Sequence, residues 1–184
     1  MKYRTFKFFV DFEKEEKWLN QMAAKGYNFI DFSLPGRYLF ETGNPGEYIY
    51  RIELLKHLPN SPESKDYIEF LEDTGGELVS SHFRWAWFRR KSADGPFHLF
   101  TDYSSQIKHY QRIIWFIGIV GIINLVIGFY NLCYGLLLTG PDYGFFFNAY
   151  LAPISFLIAF FCLKVTTSYY LNLKKLQRES QIHE

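Results

Sequence analysis

Residues 113–138 read IIWFIGIVGIINLVIGFYNLCYGLLL, 26 consecutive positions without a charge. An α-helix rises 1.5 Å per residue, so about 20 residues cross the roughly 30 Å of hydrocarbon in a bilayer. A second uncharged run, residues 145–163, is 19 residues long. Either run alone could be the core helix of a soluble protein, but two side by side in a chain of 184 residues point to membrane spans. Between them Thr139-Gly140-Pro141-Asp142-Tyr143-Gly144 has turn chemistry. The expected organisation is a transmembrane helix over 113–138, an extracytoplasmic turn over 139–144 and a second transmembrane helix over 145–165. A cytoplasmic tail over 166–184 follows.

Charge gives this hairpin a direction. Lys108 and Arg112 precede the first run, and Lys164, Lys174, Lys175 and Arg178 follow the second, while the turn carries no basic residue. Positive charge stays on the cytoplasmic side, so both termini are expected in the cytoplasm of a two-span cell-membrane protein. Lys164 can reach the inner interface. Trp115, Tyr169 and Tyr170 suit an inner aromatic belt, with Tyr134, Tyr143 and Tyr150 toward the outer side. Both runs also carry a small-or-polar stripe at alternating intervals of three and four. In the first it is Gly121, Asn124, Gly128, Asn131 and Gly135; in the second, Asn148, Ala152, Ser155, Ala159, Cys162 and Thr166. Small residues let helix backbones approach in lipid, so the stripes are expected to pack the spans together. A polar path through Asn124, Asn131 and Asn148 is the sharper alternative; no acid or base lies in either stripe to support it.

The other half of the chain is polar. Residues 1–112 hold 16 of the 20 Lys and Arg and 16 of the 19 Asp and Glu, a neutral balance that speaks against nucleic-acid binding. Arg89-Arg90-Lys91 reads as a solvated strand end. No cleavable signal peptide is visible at the start. Lys2–Val10 is expected as a strand. Asp11 should cap a helix with Glu13, Glu15 and Glu16 in its first turns, an apolar face of Trp18, Leu19, Met22 and Ala23, and a stop at Gly26. Tyr27–Ser33, Arg37–Glu41 and Glu47–Leu55 are expected strands. A second helix begins near Ser61-Pro62, buries Tyr67, Ile68 and Leu71, and ends at Gly75-Gly76. Glu77–Arg90 then reads as one strand, Asp94-Gly95-Pro96 as a turn and Phe97–Phe100 as a short closing strand. The expected fold class is α+β: a ferredoxin-like antiparallel sheet over residues 1–100 with two helices on one face, followed by the transmembrane hairpin. Residues 101–112 are expected as a helical connector into the first span.

Several stretches of this half resemble a known family. They are the opening block Phe9-Val10-Asp11-Phe12-Glu13-Lys14-Glu15-Glu16-Lys17-Trp18-Leu19-Asn20 with Met22-Ala23-Ala24-Lys25-Gly26, then Gly46–Glu53, Phe83-Arg84-Trp85 and Asp94-Gly95-Pro96-Phe97. The family comprises Gram-positive bacterial membrane proteins defined as a domain of unknown function and often encoded beside PadR-type regulators. The resemblance implies a part in regulated membrane or stress physiology and supplies no catalytic residues.

Candidate chemistry therefore comes from the residues. Arg51, Glu53, His82 and Arg84 would form a polar site beside Trp85 and Trp87 if their strands pair; a plain Arg–Glu pair across the sheet is the alternative. Asp11, Glu13, Glu15 and Glu16 could hold a divalent cation, although helix capping explains them. Ser80, His82 and Asp94 supply the residue types of a triad without a nucleophile-elbow motif. Cys133 and Cys162 lie in the apolar half, and no metal-ligand spacing or phosphate-binding glycine loop is present. The expectation is thus a non-catalytic, membrane-anchored sensory or adaptor protein, with no cofactor and no metal. Its expected partners are the lipid bilayer and a protein or small ligand. A subunit of a small homo-oligomeric transporter or channel is the alternative.

Overall fold

Asp11 starts the first helix by accepting hydrogen bonds from the Glu13 and Lys14 N–H groups at 3.1 and 3.4 Å. Ser61 starts the second in the same way, its hydroxyl accepting from the Ser64 N–H at 3.3 Å with Pro62 in the first turn. These caps, with the strands between them, organise a computed structural model that describes residues 1–100, 102–135 and 147–183. The expected turn at 139–144, and Phe145 at the start of the second run, lie outside the described residues. The chain divides into two units, Met1–Asp102 and Tyr103–Glu184.

In the first unit the order is β1 (Lys2–Phe6), α1 (Phe12–Ala24), β2 (Tyr27–Ser33), β3 (Arg37–Thr42), β4 (Tyr48–Leu54), α2 (Pro62–Asp73), β5 (Glu77–His82) and β6 (Trp85–Lys91). A short 3₁₀ turn, Ser92–Asp94, follows. The α+β class and the antiparallel pairing hold. The strands divide between two three-stranded sheets, β1-β3-β2 and β4-β6-β5, where one ferredoxin-like layer was expected. The two adjoin at β2 and β5 through Ser80, whose hydroxyl accepts from the Phe32 N–H at 3.2 Å and donates to Asp31 Oδ1 at 3.1 Å.

The helices also differ from the expected arrangement. Successive side chains of a strand point to opposite faces, and β6 is covered on both. Ala86 and Phe88 pack with Leu71 of α2, Leu55 and Phe97. On the other face Trp85 meets Phe12 of α1 and the Trp87 indole bonds to Glu15 of α1. So α1 and α2 sit on opposite faces of the second sheet, and the two-helices-on-one-face expectation is corrected. Residues 97–100 form no strand; Phe97 is buried as a core plug and its carbonyl accepts from Arg51 Nε at 2.9 Å.

Helix α1 also closes an edge. β4 borders its sheet, so the Tyr50 and Ile52 backbone groups face away from β6. Asn20 answers Tyr50 with both halves of its amide, accepting from its N–H at 2.9 Å and donating to its carbonyl at 3.0 Å. Glu16 accepts the Ile52 N–H at 3.0 Å. Two polar side chains one helical turn apart thereby take the place of a neighbouring strand.

The second unit contains two long helices, α3 (Tyr103–Cys133) and α4 (Phe147–His183). Both are long and apolar enough to cross a membrane. The expected connector is helical from Tyr103 and continues into the apolar run without a break. The helices run antiparallel: a Cβ on Gly118 would meet Thr166, one on Gly121 would meet Cys162, and one on Gly128 would meet Phe156.

Candidate functional site

Four of the six residues expected to form a binding site lie on one hairpin. Residues 77–90, read as one strand, are folded back at Phe83-Arg84, so that His82 pairs with Trp85 across β5 and β6. Nothing in the composition of the turn announces this, because neither residue is Gly, Asn, Asp or Pro. Phe83 takes a φ of 55°, in the left-handed region that bulky side chains avoid, and its side chain is 57 % exposed. The turn is held from the other side by Arg84, whose Nε donates to the Leu55 carbonyl at 2.8 Å while its own carbonyl accepts from the Leu55 N–H at 2.8 Å.

The hairpin brings His82, Phe83, Arg84 and Trp85 together at one end. His82 lies edge-on to Phe32 at 5.8 Å between ring centres, and Trp85 is half-buried against Phe12. Trp87 belongs further in, stacked on Phe32 at 4.9 Å and buried.

Arg51 and Glu53 do not join this group. Their cross-strand partners are Phe88 and Ala86, which places them on the α2 face while His82, Trp85 and Trp87 occupy the α1 face. Glu53 is buried and accepts from the Tyr67 hydroxyl at 2.6 Å. Arg51 ion-pairs with Glu16 at 3.2 Å and bonds to the Tyr50 and Phe97 carbonyls. These bonds tie α1, α2, β4 and the segment after β6 together. The Ser80–His82–Asp94 combination is likewise not assembled. Ser80 is engaged between the sheets, and Asp94 follows the far end of β6 from His82. A seven-residue strand separates those ends by about 20 Å.

Glu15 lies in the first turn of α1 as the sequence indicates, and its side chain is buried there. Phe12, Glu15, Leu19 and Ala23 form the buried stripe of the helix. The carboxylate accepts from the Trp87 indole at 2.8 Å and from the Tyr38 hydroxyl. Burial outweighs both bonds and lifts its pKa from 4.5 to about 7. Burial also raises Glu16, opposed first by the Arg51 charge. Among the described residues no three His, Cys, Asp or Glu side chains are gathered as metal ligands.

In the second unit Gly121, Gly128, Gly135, Ala152, Ser155, Ala159 and Cys162 are buried, and Asn124, Asn131 and Asn148 half-buried. The contacts of Gly121 and Gly128 place the stripe on the face that α3 turns to α4. Ile122, Ile123, Val126, Phe129, Leu157, Phe160 and Phe161 point outward, an apolar exterior that water would not tolerate well. The Asn124 amide donates to the Val120 carbonyl of its own helix at 2.9 Å.

Comparison with known proteins bears on residues 11–122, which match the model of a family described as Protein of unknown function (DUF2812). No curated protein and no solved structure matches the chain.

Proposed function

We propose that this chain, which belongs to the DUF2812 family of proteins of unknown function, is a membrane-anchored adaptor or sensor. Its α+β domain binds a protein partner in the cytoplasm without catalysis. The observation that carries the reading is Phe83. A bulky residue in the left-handed region costs on the order of 1–3 kcal/mol, and here the strained residue holds an aromatic ring out at a hairpin tip. Aromatic side chains are enriched in protein interfaces, where a few residues carry most of the binding energy. The competing polar residues are engaged in the framework, as Arg51, Glu53 and Ser80 show. The two apolar helices anchor the domain with both termini cytoplasmic, the basic flanks setting the direction. The resemblance of the opening block to Gram-positive membrane proteins encoded beside PadR-type regulators supports a role in regulated membrane physiology.

The alternative, a subunit of a small oligomeric transporter, would draw on Asn124, Asn131 and Asn148. The Asn124 amide donates back to the Val120 carbonyl of its own helix, which favours the anchoring reading.

Crosslinking in cells followed by purification in detergent tests the adaptor reading. The wild-type chain should yield one defined partner, Phe83→Gly should lose it by about 30-fold or more as for an anchor residue, and Phe70→Ser on exposed α2 should retain it. Equal recovery from all three chains, or repeated recovery of the bare chain, would contradict the reading.

A further inference from the structure

The end of the first sheet opposite Lys2 carries an unusual combination of side chains. Phe6 is 70 % exposed, Phe8 77 % and Leu34 63 %. They belong to one tip, made by the chain leaving β1 and the β2–β3 turn. The Lys7 N–H donates to the Gly36 carbonyl at 2.9 Å, and Phe8 lies 3.3 Å from where a Cβ on Gly36 would sit. Gly36, at a φ of 96°, is the residue that permits this close approach.

Three cations flank this tip in sequence and register. Arg4, Lys7 and Arg37 are exposed, and Arg37 is the cross-strand partner of Phe6. The Lys7 ammonium lies 4.7 Å from the Trp18 ring centre and 5.0 Å from that of Phe9. Of the acids of this sheet, Glu41 is opposite Lys2 at the far end, and Asp31, in the register row of Arg4 and Leu39, is engaged by the Ser80 hydroxyl. Exposed aromatic and aliphatic groups flanked by Arg and Lys match a bilayer surface with anionic headgroups, where the apolar groups enter the interface and each cation meets phosphate. A second copy docking edge to edge on β1 would set Lys2, Arg4 and Lys7 of both chains in facing rows, which repels.

We infer that the Phe6–Phe8–Leu34 tip is a second, peripheral membrane contact that seats the domain on the anionic cytoplasmic leaflet. This rests on the membrane reading of α3 and α4. Ten residues, about 15 Å of helix, separate Asp102 from the uncharged run at Ile113, a short tether. The tether supplies high effective concentration, and modest affinity at the tip then suffices.

The test uses the full chain reconstituted in phosphatidylcholine vesicles with about 30 % phosphatidylglycerol, an anionic surface like that of a cytoplasmic leaflet. Benzoylphenylalanine replaces Phe8, Phe70 or Val126 in separate chains, and intact mass after irradiation reads the adduct. Phe8→benzoylphenylalanine should give phospholipid adducts that fall by about tenfold when Arg4→Gln and Arg37→Gln are added. Phe70→benzoylphenylalanine on α2 should give few. Val126→benzoylphenylalanine should give adducts whatever the headgroup. Adducts at 126 with none at 8 overturn the tip contact alone. None at 126 overturns the membrane reading with it. A covalent dimer through position 8 makes the edge a self-association surface, and equal lipid yields at 8 and 70 reduce the contact to tether proximity; either overturns the inference.

Discussion

Glu15 carries a consequence at the scale of a single proton. Its carboxyl is lifted from 4.5 to about 7 in the fold, chiefly by burial. The folded state therefore holds this proton more tightly than the unfolded chain does. Its contribution to stability is full below about pH 4.5, is lost as pH rises toward 7 and is flat above that, with a total on the order of 3 kcal/mol. The raised Glu16 acts in the same direction. Glu15→Gln keeps an acceptor for the Trp87 indole and removes the charge. Denaturant unfolding of the full chain in detergent, followed by tryptophan fluorescence at about pH 5 and about pH 8, should show most of the wild-type decline gone, the remainder belonging to Glu16. An undiminished decline in the variant would contradict the assignment. The position was legible in principle, since Glu15 falls three residues after Phe12 and four before Leu19 on one helical stripe. An acid in the first turn of a helix is ordinarily a dipole partner, and that habit hid it. The Phe83 turn had no comparable signal.

Among the elements, the pairing of α1 with β4 makes a sharp prediction. Asn20→Ala removes the acceptor of the Tyr50 N–H at the open edge of β4 and one of the two donors to its carbonyl, which keeps Arg51, so a part-buried N–H is left to be satisfied otherwise. Destabilisation of about 1–3 kcal/mol is expected, read by the same unfolding experiment; a neutral result would mean that water replaces the amide there. The helix caps and the three strands from Tyr27 to Leu54 were readable, because capping residues and alternation agreed. Glu77–Arg90 was misread as one strand because β6 is buried on both faces, so its Ala86-Trp87-Phe88 shows no alternation to mark where the chain doubles back. Residues 97–100 looked strand-like because Phe97 is a core residue, and a buried aromatic needs no ladder. The polar site failed for a simpler reason. Arg51 and Glu53 share one strand parity, and the register of β6 puts His82 and Trp85 on the other.

For the pair of long helices, the stripe of small residues was legible as the packing face because its period could be counted. The approach is closest at Gly128, where a Cβ would lie 2.7 Å from the Phe156 ring, but the neighbours differ in whether they can yield. A Cβ on Gly121 would lie 3.1 Å from Cys162 Cβ, an atom that cannot swing aside, whereas Gly128 faces the movable ring of Phe156. Gly121→Leu should therefore lower thermal stability in detergent markedly, by the loss expected for overpacking, about 1–3 kcal/mol. Gly128→Leu should cost less, and Ile127→Leu on the exposed side next to nothing. Equal effects at 121 and 127 would contradict the pairing.

For the whole molecule, the division into a polar first half and an apolar second half was plain in the charge distribution. The partner and the regulated process were not, because binding surfaces are built from parity, turn geometry and exposure that one sequence does not display. We propose an anchored domain, held by two spans with both chain ends in the cytoplasm. Reporter fusions before Met1, at Asp142 and after Glu184 test it most directly, using paired reporters active only inside or only outside the cell. The terminal fusions should be active inside and the Asp142 fusion outside; export of either terminus, or a cytoplasmic Asp142 fusion, would contradict it.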